Sequence, residues 1–437
     1  MSKSKTNKKF WLALVVFGLT GQIAWVVENM YFNVFIYKVF NASANDISVM
    51  VAVSAVIATL ATLFIGALSD KLAKRKPFIC YGYIIWGITI CFFALLRKDL
   101  LLELFPKISP YVLGVTLVIV MDGVMTFFGS TANDACFNAW LTDSSNSSNR
   151  GRVEGVNSMM PLIAILVVFG GFMAFDLSLE SSWTAIFLII GIIVIIIGII
   201  GFFIINDVKI DVTENTNYFK NLFYGFRPSV IKQNGLLYLM LIAFAIFGIS
   251  IQIFMPYLIL YYDVSLKMSN YVFIMAPAII LASAMTVLYG KVYDKHGFFK
   301  AIVTPILLLV IGYVVLFAFK NTALVFIGSL FMMCGYLSGA SVFGAVIRDL
   351  TPVNKSGMFQ GLRIIGQVLI PGIVGPFIGA MVLADAETVV GNDGLTSFIP
   401  NENVFLASLI VAVILSLVLL FVFKICKKNS HQLLKKD

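Results

Sequence analysis

Charge is what this sequence has least of. Only 12% of its 437 residues are Asp, Glu, Lys or Arg, while 60% are hydrophobic. A soluble domain carries roughly a quarter charged residues, so no water-soluble core hides this much apolar surface and the bilayer is the expected solvent. Histidine is almost missing. His296 and His431 lie in or beside polar segments, which excludes a histidine-based catalytic site inside the membrane. The cysteines, Cys80, Cys91, Cys136, Cys334 and Cys426, show no CxxC or Cys/His spacing, so neither a metal site nor a disulfide framework is implied. Long polar stretches are lacking too: no loop can hold an independent soluble domain. No nucleophile constellation of a membrane enzyme is visible, and both tails are short for a signalling receptor. Neither an enzyme nor a cofactor is expected.

What the chain has instead is a series of apolar runs. A helix needs roughly 20 apolar residues to cross a hydrocarbon core of about 30 Å. Candidate spans fall at about 10–37, 47–68, 77–96, 111–141, 154–175, 183–206, 236–262, 270–290, 301–319, 322–347, 358–384 and 404–426. The fourth is too long for a perpendicular crossing. Lys3, Lys5, Lys8 and Lys9 precede the first run, but no prompt small-x-small cleavage site follows, so it reads as a retained helix.

The net charge of +9 sits in short clusters between spans, the mark of membrane topology and not of a nucleic-acid surface. Alternating the loops leaves six basic residues on one side, Lys38, Arg97, Lys98, Lys107, Lys267 and Lys320, and the remaining 25 on the other. Both termini are therefore expected in the cytoplasm, with the protein in the plasma (inner) membrane. Its expected partners are the lipid bilayer and a small-molecule substrate. No nucleic acid partner and a monomeric state are expected.

Residues 207–235 are the longest polar interruption and separate two bundles of six spans, 1–206 and 236–437. The bundles resemble one another. A shift of 224 carries Gly66, Asp70 and Lys76 onto Gly290, Asp294 and Lys300, and Glu28 and Tyr37 onto Gln252 and Tyr261. A shift of 206 carries Gly151 and Gly155 onto Gly357 and Gly361. Internal repeats of this kind are a hallmark of secondary transporters.

The loop Gly66-Ala67-Leu68-Ser69-Asp70-Lys71-Leu72-Ala73-Lys74-Arg75-Lys76 resembles the major facilitator signature between helices two and three, G-x-L-x-D-x-x-G-[RK]-[RK], with Ala73 replacing its second glycine. The resemblance implies an all-α major facilitator fold of about twelve transmembrane helices in two pseudo-symmetric six-helix bundles. It also implies gating roles for Gly66, Asp70 and Arg75, for the second copy Gly290, Asp294 and Lys300, and for Arg363. Gly66 reads as a close-approach glycine. The same basic cluster also serves the positive-inside rule, which by itself requires neither Gly66 nor Asp70.

Polar groups within spans are costly in hydrocarbon and default to a pathway. In helix one, Gln22, Asn29 and Asn33 fall within about 40° at 100° per residue, Trp25 flanks them, and Glu28 lies about 100° to one side. Helix four carries Asp122, Thr126, Gly129 and Asn133 near one face, while Asp134 and Asn138 make a separate i, i+4 pair. Gln252 in helix seven and Gln367 in helix eleven complete the expected substrate contacts: Gln22, Trp25, Asn29, Asn33, Asn133, Gln252 and Gln367. A charged residue at a helix centre costs roughly 2.5–3.5 kcal/mol, a cost that protonation removes. Glu28, Asp122 and Asp134 are thus the expected proton-coupling residues. Arg152 and Arg363 are candidate structural partners for Asp134 and Glu154.

The stretch Asn133 to Asp143, followed by Asn149-Arg150-Gly151-Arg152-Val153-Glu154-Gly155, together with Gly21-Gln22-Ile23-Ala24-Trp25, resembles the glycoside–pentoside–hexuronide:cation symporters and the sucrose:proton carriers. That resemblance implies cation-coupled uptake of a sugar or glycoside. The second span has no carboxylate, which argues against the sodium site of melibiose-type members and favours a proton gradient over sodium. Asn138 stands where sucrose carriers have an arginine, and their helix-four carboxylate falls near Phe127. The competing expectation within the class is a proton-driven exporter of drugs or amphiphiles, or a lipid carrier.

Overall fold

A computed structural model describes residues 8–72, 74–145, 150–207, 224–268, 270–351, 361–390 and 394–428. Among the described residues, twelve helices are long and apolar enough to cross a membrane: α1 Lys8–Phe40, α2 Ala44–Leu72, α3 Lys76–Leu95, α4 Pro110–Ser144, α5 Gly155–Phe172, α6 Glu180–Ile204, α7 Gly235–Ser265, α8 Val272–His296, α9 Phe298–Ala318, α10 Thr322–Leu350, α11 Gly361–Val382 and α12 Asn403–Lys427. The all-α fold of twelve spans is the one the sequence predicts, and α4 is indeed overlong at 35 residues.

Two features were not predicted. Several spans contain stretches of π-helix: Val27–Tyr31 in α1, Ser130–Phe137 in α4, Tyr261–Ser265 in α7 and Ile365–Leu369 in α11. The loop after α11 forms a small antiparallel hairpin, β1 Thr388–Val390 with β2 Thr396–Phe398, pairing Thr388 with Phe398. Ser265 at the end of α7 donates to the carbonyl of Pro400 just beyond it.

The chain forms two compact units, residues 1–46 with 53–218 and residues 47–52 with 219–437. In the first, α6 shows how its helices are sorted. Ile189, Ile192, Ile193, Ile196, Ile199 and Ile200 are exposed, while Gly191, Val194, Gly198 and Gly201 are buried. This inverts the soluble pattern: large apolar groups face lipid, and small residues let backbones approach. A Cβ on Gly87 of α3 would stand 2.5 Å from the carbonyl oxygen of Gly191, and one on Gly191 would stand 2.4 Å from Cys91 Sγ. The second unit does the same between α9 and α10, where a Cβ on Gly312 would lie 2.5 Å from the Met332 nitrogen.

The glycine of the loop signature is not of this kind. A Cβ on Gly66 would make only ordinary contact with Ala135 at 3.8 Å, and one on Gly290 would meet nothing within 4 Å among the described residues. The close-approach reading of Gly66 is therefore corrected: the tight glycines are Gly87, Gly191 and their like. Gly87→Val forces backbone against backbone, and overpacking costs typically 1–3 kcal/mol and occasionally more. We expect Gly87→Val to lower the apparent melting temperature of the detergent-solubilised protein by several degrees, with Gly66→Ala near wild type in the same assay.

Candidate functional site

The candidate site of the first unit is built on carboxyl groups inside the spans. Glu28 lies in the π stretch of α1, where the Phe32 N–H reaches back to the Val27 carbonyl. The widened turn adds a residue to the helical count, which rotates everything beyond it by about 100°. The polar stripe predicted from an unbroken 3.6-residue period is accordingly divided. Gln22 and Trp25 are half-buried, Asn29 is exposed and Asn33 is buried. Glu28, placed to one side by the sequence, is itself buried at 6% exposure.

The second carboxyl, Asp122 of α4, is 2% exposed. Ser54 of α2 donates to its Oδ2. One turn along α4, Thr126 donates to Glu28 Oε1 at 2.8 Å. Each acid thus has one oxygen held by a hydroxyl. Its other oxygen, Glu28 Oε2 or Asp122 Oδ1, is buried without a hydrogen-bond partner among the described residues.

Asp134 is the third. It lies in the π stretch of α4, accepts from Ser130 at 3.0 Å and is only half-buried. Trp25 interacts with its carboxylate, although the indole N–H makes no hydrogen bond of normal geometry. Asp122 and Asp134 both act electrostatically on Glu28, so three acids that the sequence left on different helical faces lie within electrostatic reach of one another through Glu28. Among the described residues no ion pair includes any of them. Arg152, a candidate partner, stands over the Trp11 ring at 5.0 Å instead, and the side chain of Glu154 is outside those described.

Around this cluster the other predicted residues differ in engagement. Asn133 is buried and donates to the Tyr83 hydroxyl at 2.6 Å, which donates to the Phe17 carbonyl at 2.8 Å. A Cβ on Gly21 would fall 2.2 Å from Asn133 Nδ2, so Gly21 admits this bridge between α1, α3 and α4. Asn133 is therefore occupied in packing. Trp25 and Trp86 meet with ring centroids 5.2 Å apart. In the second unit Gln252 packs on Gly375, whose Cβ would lie 2.4 Å from Gln252 Cβ. Gln367 is exposed and accepts from Arg363 Nε at 3.2 Å. No buried charged side chain occurs among the described residues of that unit.

The loop after α2 centres on Arg75, at 5% exposure. Its guanidinium donates to Asp70, to Ser69 Oγ, and to Asp143 at the end of α4 at 3.1 Å. Burial alone would depress this group, but Asp70 and then Asp143 outweigh it and hold the pKa above the ordinary arginine value. Asp207, beyond α6, accepts from the backbone N–H groups of Arg75 and Lys76 at 2.8 Å each. Lys76 Nζ donates to the Phe202 carbonyl at 2.7 Å. The ends of α2, α4 and α6 are thereby tied to the start of α3. Sequence reasoning singled out Asp70 and Arg75 but missed Ser69, Asp143 and Asp207.

One of those was legible. The shift of 206 that relates the loops after α4 and α10 carries Asp143 onto Asp349, and the shift of 224 carries Ser69 onto Tyr293. In the second unit Tyr293 donates to Asp349 at 2.7 Å. A carboxylate at the end of the fourth helix of each unit is thus held, by Arg75 of the loop after α2 in the first unit and by Tyr293 of α8 in the second. Gly290, Asp294 and Lys300 lie in or beside this second copy, with Asp294 and Lys300 exposed. Among the described residues no group of three or more His, Cys, Asp or Glu is set to hold a metal.

The comparison with known proteins agrees with this architecture. The profile described as Major Facilitator Superfamily matches residues 10–343. No curated protein matches the sequence significantly. Among solved structures, a bacterial homologue of the human lysosomal transporter Spinster, inward-facing and unoccupied, is similar at 13% identity over 97% of this chain and 98% of its own, with a TM-score of 0.71. The nucleoside transporter NupG is similar at 12% identity over 94% and 98%, TM-score 0.68. The xylose transporter XylE from E. coli is similar at 12% identity over 93% and 97%, TM-score 0.65.

Proposed function

The chain belongs to the major facilitator superfamily, and on that premise we propose that it is a secondary active transporter that moves a small polar solute by alternating access, driven by protons. The observation that carries this reading is the trio Glu28, Asp122 and Asp134, membrane-embedded and without a basic partner among the described residues. Uncompensated charge in a low-dielectric interior costs several kcal/mol per ion. A proton or another cation removes that cost, and its arrival and departure link the occupancy of the site to the state of the carrier.

The hydroxyls of Ser54 and Thr126 fit this role because each holds one carboxyl oxygen and leaves the other for a proton. The hub of Asp70, Arg75 and Asp143 fits a gate on the basic face, the face proposed to be cytoplasmic. Uptake of a sugar or glycoside is the direction and class that the symporter resemblance favours, and structures of a nucleoside and a xylose transporter share the fold. The exporter alternative needs a greasier path than one bearing the polar groups of Asn29, Asn33 and Asp134.

Reconstituted in liposomes with the interior alkaline, the protein is expected to accumulate at least one member of a panel of sugars, glycosides, nucleosides and amines. Collapsing the gradient with a protonophore is expected to abolish the accumulation. Dye extrusion with no uptake from the panel would instead support the exporter.

A further inference from the structure

We infer that the first unit binds the head group of a membrane phospholipid, a phosphoethanolamine, in a recess between the start of α6 and the loop joining α3 to α4. This site is separate from the buried carboxyl groups and does not depend on their role.

Charge placement singles out the loop. Of the six basic residues on the sparsely charged side, three, Arg97, Lys98 and Lys107, fall between residues 97 and 107. Topology gives no reason for cations to gather on that side. Acids accompany them, Asp99 and Glu103 in the loop and Glu180 at the start of α6.

Within the loop, Lys98–Leu104 is a short helix. At 100° per residue Leu101, Leu102 and Leu104 lie within about 160° of one another, opposite Asp99 and Glu103. Only Leu101 of the three is buried, while Leu102, Leu104 and the following Phe105 are exposed. An apolar face wider than the protein covers, at the junction of two spans, suits a helix lying in the membrane interface. Lys98 Nζ stands over the Tyr111 ring at 5.4 Å, and tyrosine and lysine are side chains that anchor at that depth.

The recess has a volume of about 410 Å³ and is lined by Arg97, Asp99, Glu180, Ser181 and Thr184. Sites for small ligands span roughly 300–1,000 Å³, so a lipid head group fits. One side is fixed: Glu180 Oε2 accepts from the Lys98 N–H, and Glu180 Oε1 pairs with Lys98 Nζ, both at 3.1 Å. The other is open to exchange. Arg97 and Asp99 pair with each other while 48% and 63% exposed, and an ion pair so open to water is worth little. A ligand that satisfies both partners displaces that pair at small cost. Arg97 suits a phosphate, which its planar fork meets in two charge-assisted bonds. Asp99 suits an ammonium, which has donors and no acceptor. The charges of Arg97, Lys98, Asp99 and Glu180 sum to zero, which favours a zwitterion over an anion. As part of a phospholipid, the head group also brings acyl chains to Leu102, Leu104 and Phe105, and this apolar rim selects the lipid over the free head group.

The test uses purified full-length protein, delipidated in detergent and followed by native mass spectrometry and thermal shift. It is titrated with phosphatidylethanolamine, phosphatidylcholine, phosphatidylglycerol and free phosphoethanolamine. Phosphatidylethanolamine is expected to bind at least roughly fivefold tighter than phosphatidylcholine, whose quaternary ammonium cannot donate, and than the anionic phosphatidylglycerol. Free phosphoethanolamine is expected to bind at least roughly tenfold more weakly than its lipid. Arg97→Gln combined with Asp99→Asn is expected to remove the ethanolamine preference, and Phe105→Ser to weaken all three lipids alike. Arg97→Ala serves as a second variant should the double one fail to fold. Equal binding of the three lipids, tightest binding of phosphatidylglycerol, or an unchanged preference in either folded variant overturns the inference. So does free phosphoethanolamine binding as tightly as the lipid, which would assign the recess to a soluble zwitterion.

Discussion

Glu28→Gln is expected to abolish uphill transport while leaving solute exchange down its own gradient. The substitution keeps the shape of the side chain and the bond from Thr126, but it removes the group that takes up the proton. One pH unit is worth 1.36 kcal/mol per proton, so each proton coupled to a solute supports about tenfold accumulation across a gradient of one unit. The wild type is expected to reach that ratio and Glu28→Gln to fall to unity. Asp122→Asn is expected to do the same, because its partner Ser54 can bond to an amide as well as to a carboxylate. Accumulation ratio against imposed gradient, with exchange of labelled solute as the control, checks both.

Arg75→Ala is expected to have the largest effect on stability. The side chain is 5% exposed and faces two carboxylates. Removing one partner of a buried pair costs roughly 3–5 kcal/mol. Asp70 is half-exposed and solvent relieves part of its loss, so the lower end, about 3 kcal/mol, is the expected value. At roughly 2–4 °C per kcal/mol for a unit of this size, the apparent melting temperature should fall by about 6–12 °C. Arg75→Lys should recover only part of the loss, because an ammonium cannot span Asp70, Ser69 and Asp143 as the guanidinium does. A melting temperature for Arg75→Ala within a degree of wild type would show the hub to be incidental.

These two sites were legible in the sequence to different degrees, for physical reasons. The spans are legible because crossing a bilayer is a local requirement, met within each run of about 20 residues. Asp70 and Arg75 are legible because the chain returns within five residues to close the contact. The carboxyl trio is legible residue by residue but not as a cluster. Bringing Glu28 within electrostatic reach of both Asp122 and Asp134 involves the π stretches of α1 and α4, and a change from i+4 to i+5 bonding leaves no pattern of residue types behind it. Ser54 is one hydroxyl among many, and only its position across from Asp122 distinguishes it. Gly66 shows the opposite error: a motif suggested a tight contact where the backbone leaves room for a methyl group.

The central claim is that the trio couples proton movement to solute movement. The most direct measurement is the pH inside proteoliposomes carrying a trapped indicator, with solute added to a vesicle that has no initial gradient. Solute-dependent acidification by the wild type, absent in Glu28→Gln and Asp122→Asn, is the predicted result. Solute entry with no proton movement, or proton movement unchanged in both variants, would contradict the account.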